Sequence, residues 1–335
     1  MKVILPVAGS GKRMRPHTHS RPKHFLSIAG KPGIAYLLEE LERLKVSEVI
    51  FITGHLKEKF EEMVRGKFKF KMRFVEQKVL DGTAGSVRLA EEFIDEPVLI
   101  IYPDAVFDLD LGLIDKLKKD ESGIIWVKHR EDYQRFGVVV LDKDGYMSRM
   151  VEKPSEPISK LANIGYYYVR DYKLLYEGIK HLYDNKIMMK GEYWLTDAFQ
   201  YMIEHGAKFI CPDVKGWYDY GKPETHLDSN RELLKKFSAK DVPADFAENS
   251  VIRHPVFIAP GVKIKNSVIG PYVTIESGCT VDGCVIQDSI IHSGSKVRHV
   301  LLDKSIVGDE VELEGGFKEL NVGDHCTISF SEKRI

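Results

Sequence analysis

The chain has 335 residues, enough for two domains, and its 43% hydrophobic and 30% charged residues are the balance of a soluble globular protein. A net charge of −1 leaves no global electrostatic case for nucleic acid or an anionic membrane, and no apolar run approaches the roughly 20 residues that span a bilayer. Cys211, Cys279, Cys284 and Cys326 form no C-x-x-C pair, and Met1-Lys2 leads into a strand instead of a signal peptide, which predicts a cytoplasmic protein without zinc modules or disulfides.

Val3-Ile4-Leu5 reads as a buried strand that breaks at Pro6. The small-residue loop Ala8, Gly9, Ser10, Gly11 follows, where glycines let backbone N–H groups approach a ligand. Lys12, Arg13, Arg15, Arg21 and Lys23 then place clustered positive charge beside it, a combination that suits a polyphosphate. A Walker loop is excluded, because Pro6 stands where it needs Gly and Arg13 where it needs Ser or Thr. A dinucleotide fingerprint is excluded by Met14. On loop chemistry alone, a solvated basic loop between strand and helix remains the alternative.

The longer stretch GSGKRMRPHTHSRPKHFLSIAGKP resembles the signature of the sugar-1-phosphate nucleotidylyltransferases. Gly9, Gly11, Arg13, Met14, Pro16, Thr18, Pro22, Lys23, Lys31 and Pro32 fall in register, while Lys12 replaces the usual Thr. The resemblance implies a Rossmann-like α/β domain with a mixed central sheet. It implies that Ala8, Gly9 and Gly11 bind nucleotide, that Arg13 holds the leaving pyrophosphate, and that Lys23 bridges the phosphates near the α-position.

Down the chain, Gly33 to Lys45 is an amphipathic helix, Val49 to Ile52 a buried strand, Lys57 to Val64 a helix and Met72 to Val75 a strand. Ala84 to Phe93 reads as a helix and Pro97 to Tyr102 as a strand. This alternation predicts a parallel sheet with crossover helices and ligand at the strand carboxyl ends. The segment Gln77 to Gly85 resembles the family's Q-x-x-x-x-G-T-A, in which the Gln amide and Gly backbone read a pyrimidine edge, so Gln77, Gly82 and Thr83 are expected at the nucleotide and UTP or dTTP is favoured. A plain surface turn capped at Thr83 is the alternative. Asp104, just past a buried strand, suits a divalent metal on the nucleotide, and a turn-capping Asp is the bland option.

From residue 122 strands dominate: Gly123 to Val127, Phe136 to Leu141, Met147 to Lys153 and Leu161 to Val169. They carry F-G-V, V-E-K-P and A-N-x-G-Y-Y, which resemble the family's sugar-binding half. Gly137 and Asn163 would then hold sugar hydroxyls, Glu152 would accept from hydroxyls, and Lys153 would pair with the sugar phosphate. Adjacent residues on a strand point to opposite faces, so Glu152 and Lys153 need a bulge or a strand end to share one pocket. Asp171 to Leu182 is a helix, and Ala198 to His205 another, capped by Thr196 or Asp197. On the same resemblance Lys190 approaches the sugar phosphate, and Asp219, in W-Y-D-Y-G-K-P, joins Asp104 on Mg²⁺.

Residues 238–247 read as a linker between a catalytic domain, 1–237, and a second domain, 248–335. Beyond it Ile258, Ile264, Ile269, Ile275, Val281, Ile286, Ile291, Val297, Leu302, Val307 and Leu313 recur every five or six residues, the period of a hexapeptide-repeat left-handed β-helix. A small β-sandwich is the alternative. His254, His292 and His299 in these repeats are expected to be structural or to serve assembly into a homo-oligomer. His17, His19 and His24 are not read as metal ligands, because oxygen suits magnesium better. The expected reaction joins dTTP or UTP to a sugar 1-phosphate, glucose 1-phosphate first. A bifunctional N-acetylglucosamine-1-phosphate uridylyltransferase/acetyltransferase and a non-catalytic nucleotide-sensing relative are the alternatives.

Overall fold

Val3, Ile4 and Leu5 form the centre of strand β1 (Lys2–Pro6), and all three are fully buried. The computed structural model describes residues 1–237 and 247–316; most of the expected linker and residues 317–335, with Cys326, lie outside the described residues. The chain divides into two units, Met1–Ser238 and Ala239–Ile335.

After β1 the first unit runs β2 (Ser27–Ile28), β3 (Lys31–Pro32), α1 (Gly33–Arg43), β4 (Glu48–Thr53), α2 (Lys57–Val64), β5 (Lys71–Glu76), α3 (Thr83–Arg88) and β6 (Val98–Ile101). It continues with β7 (Ala105–Asp108), β8 (Gly123–His129), β9 (Gly137–Leu141), β10 (Met147–Glu152), β11 (Leu161–Val169), α4 (Tyr172–Asp184), α5 (Leu195–Glu204), β12 (Phe209–Ile210), β13 (Gly216–Asp219) and α6 (Pro223–Phe237). β1 pairs in parallel with β4 and β6, and β4 with β5. β11 runs antiparallel to β6, β8 and β9, so the central sheet is mixed. Alternation along β1 sends Ile4 into one layer with Val87, Leu175 and Phe199, and Val3 and Leu5 into the other with Leu37, Leu38 and Phe60. A strand apolar on both faces is what a sheet covered on both sides requires.

One edge of β11 serves two partners, β9 at Leu161 and Ala162 and β6 from Tyr166 to Val169. On the other edge, where β11 pairs with β8, the register slips between Asn163 and Tyr167, and Gly165 takes φ +75. The sheet forks at that slip. The fork opens a crevice at the carboxyl end of β6, where sheets of this type bind ligand.

Two helices differ from expectation. α5 begins at Leu195, earlier than Ala198, because its first N–H is capped from a distance: Thr83 Oγ1 accepts from Leu195 N–H at 2.8 Å. The helix expected over Ala84 to Phe93 ends at Arg88 and resumes as a 3₁₀ turn at Glu91–Phe93.

In the second unit the described residues form three parallel sheets of short strands. Ala247, Ile264, Val281, Val297 and Leu313 stack in one column. Ile252, Ile269, Ile286 and Leu302 form the second, and Ile258, Ile275, Ile291 and Val307 the third. Every apolar position in the expected five-to-six-residue rhythm falls in these columns. A single coil cannot bury its own inner side chains, so stacking supplies the core. Among the described residues, no helix is long and apolar enough to cross a membrane.

Candidate active site

Asp104 follows β6, and Asp219 ends β13. β13 pairs antiparallel with β7, which sets Asp219 opposite Ala105, and Tyr220 N–H donates to the Asp104 carbonyl at 3.1 Å. The two acids, distant in sequence, therefore occupy neighbouring rungs of one ladder. Buried Tyr220 donates its hydroxyl to the Pro103 carbonyl at 2.7 Å, and Ser229 Oγ donates to the Asp219 carbonyl at 2.7 Å, so both loops are pinned. Asp219 Oδ1 accepts from Gly221 N–H at 2.8 Å. Two carboxylates are hard oxygen donors, and this donor set fits a divalent cation.

The N-terminal loop brings its cations to the same place. Gly11 takes φ +62, and Thr18 Oγ1 donates to its carbonyl at 2.9 Å, which folds the loop back on itself. Lys23 Nζ lies 3.7 Å from Asp104 Oδ2. The Arg13 guanidinium reaches the Asp219 turn: a Cβ on Gly221 would sit 3.3 Å from Arg13 and 3.1 Å from Asp219 Oδ1. Arg13 forms no ion pair among the described residues, whereas Lys23 is held by an acid.

A cavity of about 650 Å³ in the fork is lined by Arg13, Thr83, Asp104, Gly137, Glu152, Lys153, Asn163 and Asp219 together with residues not expected there. Glu152 lies opposite Gly137 across β10 and β9. A Cβ on Gly137 would fall 2.3 Å from Asn163 Nδ2 and 2.9 Å from Glu152 Oε2, so only glycine leaves room for both. Asn163 Oδ1 accepts from Gly165 N–H at 3.1 Å and from the Tyr167 hydroxyl, which leaves its amide hydrogens for other partners. β10 ends at Glu152, and Lys153 takes φ +43. That turn breaks strand alternation and puts both side chains on one cavity. Lys153 Nζ lies 3.4 Å from Glu152 Oε1 and 4.1 Å from the centre of the Trp194 ring. Burial pushes the Glu152 carboxyl above its usual range, and the Lys153 ammonium partly opposes this.

Other expected residues lie elsewhere. Lys190 does not line the cavity. It is exposed at φ +53 on the tip of a two-residue turn closed by Met189 and Glu192, which exchange hydrogen bonds of 3.0 and 3.1 Å. Gln77 lines a separate cavity of about 590 Å³ with Asp81, Arg88 and Tyr183. Gly82 precedes α3 against the Tyr193 backbone. Ala8 is buried against Gly54, while Gly9 is exposed with open space where a side chain would be. Arg135, Lys222, Tyr102, Trp194, Thr196 and Trp217 line the main cavity and were not assigned from sequence. Trp217 and Lys222 stand in W-Y-D-Y-G-K-P, the motif that carries Asp219, and Thr196 is marked in the sequence only as a helix cap. His24 is buried, and burial beside Lys23 holds its pKa well below the usual value.

Residues 2–236 match the nucleotidyl transferase family model, and residues 235–316 match the GlmU-like C-terminal hexapeptide model. The three-sided coil is thus the left-handed β-helix of hexapeptide repeats. The chain is 33% identical to the bifunctional protein GlmU of Methanocaldococcus jannaschii, over 98% of this chain and 79% of that one. It is 32% identical to a bifunctional sugar-1-phosphate nucleotidylyltransferase/acetyltransferase of Sulfurisphaera tokodaii, over 100% of this chain and 84% of the relative. A glucose-1-phosphate thymidylyltransferase of Streptomyces antibioticus is 27% identical over 98% of this chain and 99% of its own. The fold is shared with UDP-glucose pyrophosphorylase solved with UDP-glucose, at TM-score 0.62 and 24% identity, covering 70% of this chain and 99% of that one. With its ladder of two acids, its cationic loop and its repeat coil, the chain belongs to the nucleotidyl transferase family, among the sugar-1-phosphate nucleotidylyltransferases that carry a C-terminal hexapeptide domain.

Proposed function

We propose that the protein joins UTP or dTTP to a sugar 1-phosphate, glucose 1-phosphate first, releasing pyrophosphate. The observation that carries this is the single cavity lined by both Asp104 and Asp219, with Lys23 and Arg13 against them. An oxygen of the sugar phosphate attacks the α-phosphorus, the bond from that phosphorus to the β-phosphate oxygen breaks, and pyrophosphate leaves. The second ionisation of a phosphate monoester lies near a pKa of about 6, so the nucleophile needs no protein base. Catalysis is then positioning and charge neutralisation.

Arg13, with the amides of Ala8, Gly9 and Gly11, takes the leaving pyrophosphate. Lys23 moves from Asp104 to the phosphates near the α-position. Lys153 takes the sugar phosphate, while Gly137, Glu152 and Asn163 hold hydroxyls. Asp104 and Asp219 would hold Mg²⁺, which when bound screens the repulsion between the two anionic substrates. Gln77, Gly82 and Thr83 meet the base. Lys190 needs a conformational change to take part, because its turn leaves it in solvent.

The thymidylyltransferase relative, matched end to end, supports glucose 1-phosphate. The bifunctional relatives favour a second reading, N-acetylglucosamine 1-phosphate with an added acetyl transfer. In the described coils, His254 and His299 are exposed, while His292 is buried with its Nδ1 2.9 Å from Glu276. Incubation with acetyl-CoA and an amino-sugar phosphate tests that reading: free CoA supports it, and its absence leaves the coil a structural or homo-oligomer-forming part of a cytoplasmic enzyme. The retention of Arg13, Lys23, Asp104 and Asp219 argues against a non-catalytic nucleotide sensor. Pyrophosphate release from four NTPs against three sugar phosphates tests the main proposal, and no release from any pair would refute it.

A further inference from the structure

We infer that Asp81 locks the Gln77 amide in one orientation and thereby selects a pyrimidine with a carbonyl at C4, uracil or thymine, against cytosine, resting on the proposed contact between Gln77 and the base.

Gln77 follows β5 and is 7% exposed, with its backbone N–H donating to the Thr53 carbonyl at 2.8 Å. Its Nε2 lies 3.4 Å from Asp81 Oδ1. A carboxylate only accepts hydrogen bonds, so the NH₂ end of the amide must face Asp81 and the carbonyl end must face away. Among the described residues, no protein group donates to Gln77 Oε1. The amide therefore presents a fixed pair, one unused acceptor beside its remaining N–H.

Asp81 is itself held from several directions. The Tyr183 hydroxyl donates to Asp81 Oδ2 at 2.5 Å. Tyr193 N–H donates to the Asp81 carbonyl at 2.7 Å, and the Tyr183 and Tyr193 rings stack at 3.9 Å. The Arg88 guanidinium covers Tyr183 at 4.1 Å. The carboxylate fits against α3 only because residue 85 is glycine: a Cβ there would lie 1.9 Å from Asp81 Oδ1.

A glutamine amide that is free to turn over can pair with either pyrimidine pattern. Uracil and thymine present the O4 acceptor beside the N3–H donor, and cytosine presents the reverse. To read cytosine in the same seat, Gln77 would have to bring its oxygen against the Asp81 carboxylate, two acceptors with no proton between them. Cytosine then leaves two mispaired groups, a mismatch that costs about a hundredfold or more in kcat/KM. Guanine presents the same order as uracil on a larger ring, so CTP is the informative competitor.

The test measures kcat/KM for UTP, dTTP and CTP, with the sugar 1-phosphate that the unaltered enzyme uses best, in Asp81→Asn, Tyr183→Phe and Gln77→Ala. An asparagine at 81 can donate to Gln77 Oε1 and so permits the turned-over amide. The UTP-to-CTP ratio is expected to shrink at least about tenfold in Asp81→Asn, and by less in Tyr183→Phe, which loosens Asp81 without removing its charge. An equal loss for all three nucleotides in Asp81→Asn, with the ratio unchanged, overturns the inference and leaves Asp81 a loop brace. Should Asp81→Asn not fold, an unchanged ratio in Tyr183→Phe overturns it instead. A ratio unaltered in Gln77→Ala would refute the base contact itself, whereas a ratio lost in Gln77→Ala but kept in Asp81→Asn would refute only the role of Asp81.

Discussion

Replacing Gly137 with Ala tests the sugar end of the cavity. The new Cβ would meet Asn163 Nδ2 at 2.3 Å and Glu152 Oε2 at 2.9 Å, so Asn163 must retreat by about 1 Å to reach ordinary contact. It cannot swing away at no cost, because its Oδ1 is held by Gly165 N–H and the Tyr167 hydroxyl. Breaking those bonds costs on the order of 1 kcal/mol each, and keeping them forces an overpacked site at about 1–3 kcal/mol. A group displaced by about 1 Å from a bound reactant loses up to about a hundredfold in rate. Pyrophosphate release should therefore show kcat/KM for the sugar 1-phosphate down about 10–100-fold, with the NTP KM within about threefold. A folded Gly137→Ala enzyme with normal kcat/KM for the sugar phosphate would refute the assignment. Equal losses for both substrates would show instead that the change distorts the whole cleft.

Lys23→Ala and Asp219→Ala should each lower kcat by about a hundredfold or more, since the first removes a cation placed for the phosphates and the second a carboxylate proposed to hold the metal, and near-normal turnover in both would remove the mechanism. Lys190→Ala should alter KM for the sugar phosphate by less than about threefold, because the residue is an exposed turn tip; a large rise would mean that the turn closes onto the substrate. Glu40, half-buried on α1, has its pKa pushed up to about 7, first by burial and then by Asp108, with Arg43 opposing. Its folded pKa exceeds the unfolded value of 4.5, so the stability tied to its proton is fully present below pH 4.5 and is lost as pH rises through about 7. Glu40→Gln should stabilise the protein at pH 8 by about 2 kcal/mol, after discounting for partial exposure, and should change little at pH 4. Denaturant unfolding at the two pH values checks this, and a gain that is the same at both would contradict it.

Elements whose environment is written in local rhythm were legible from residues alone. Val3-Ile4-Leu5 is apolar without a gap because β1 is covered on both faces. The repeats past residue 250 place an apolar side chain every five or six residues because each coil turns three corners around one core. Asp104 could be marked because a carboxylate just past a buried strand lies at that strand's carboxyl end, where ligand is expected.

The sequence by itself therefore determined the layered first unit, the coil of the second, and the identities of most charged residues around the cleft. The tertiary structure alone decided which of them meet. Asp104 and Asp219 became neighbours through the register of β7 with β13. Glu152 and Lys153 came to share a cavity through one left-handed residue at a strand end. α5 started early on a cap lent by Thr83, and Lys190 was carried outward on its turn. The physical reason is one of range. Burial follows the side-chain period of a strand or coil and so leaves a mark within a few residues, whereas a contact between segments a hundred residues apart is set by strand order and register, which no short window of sequence contains.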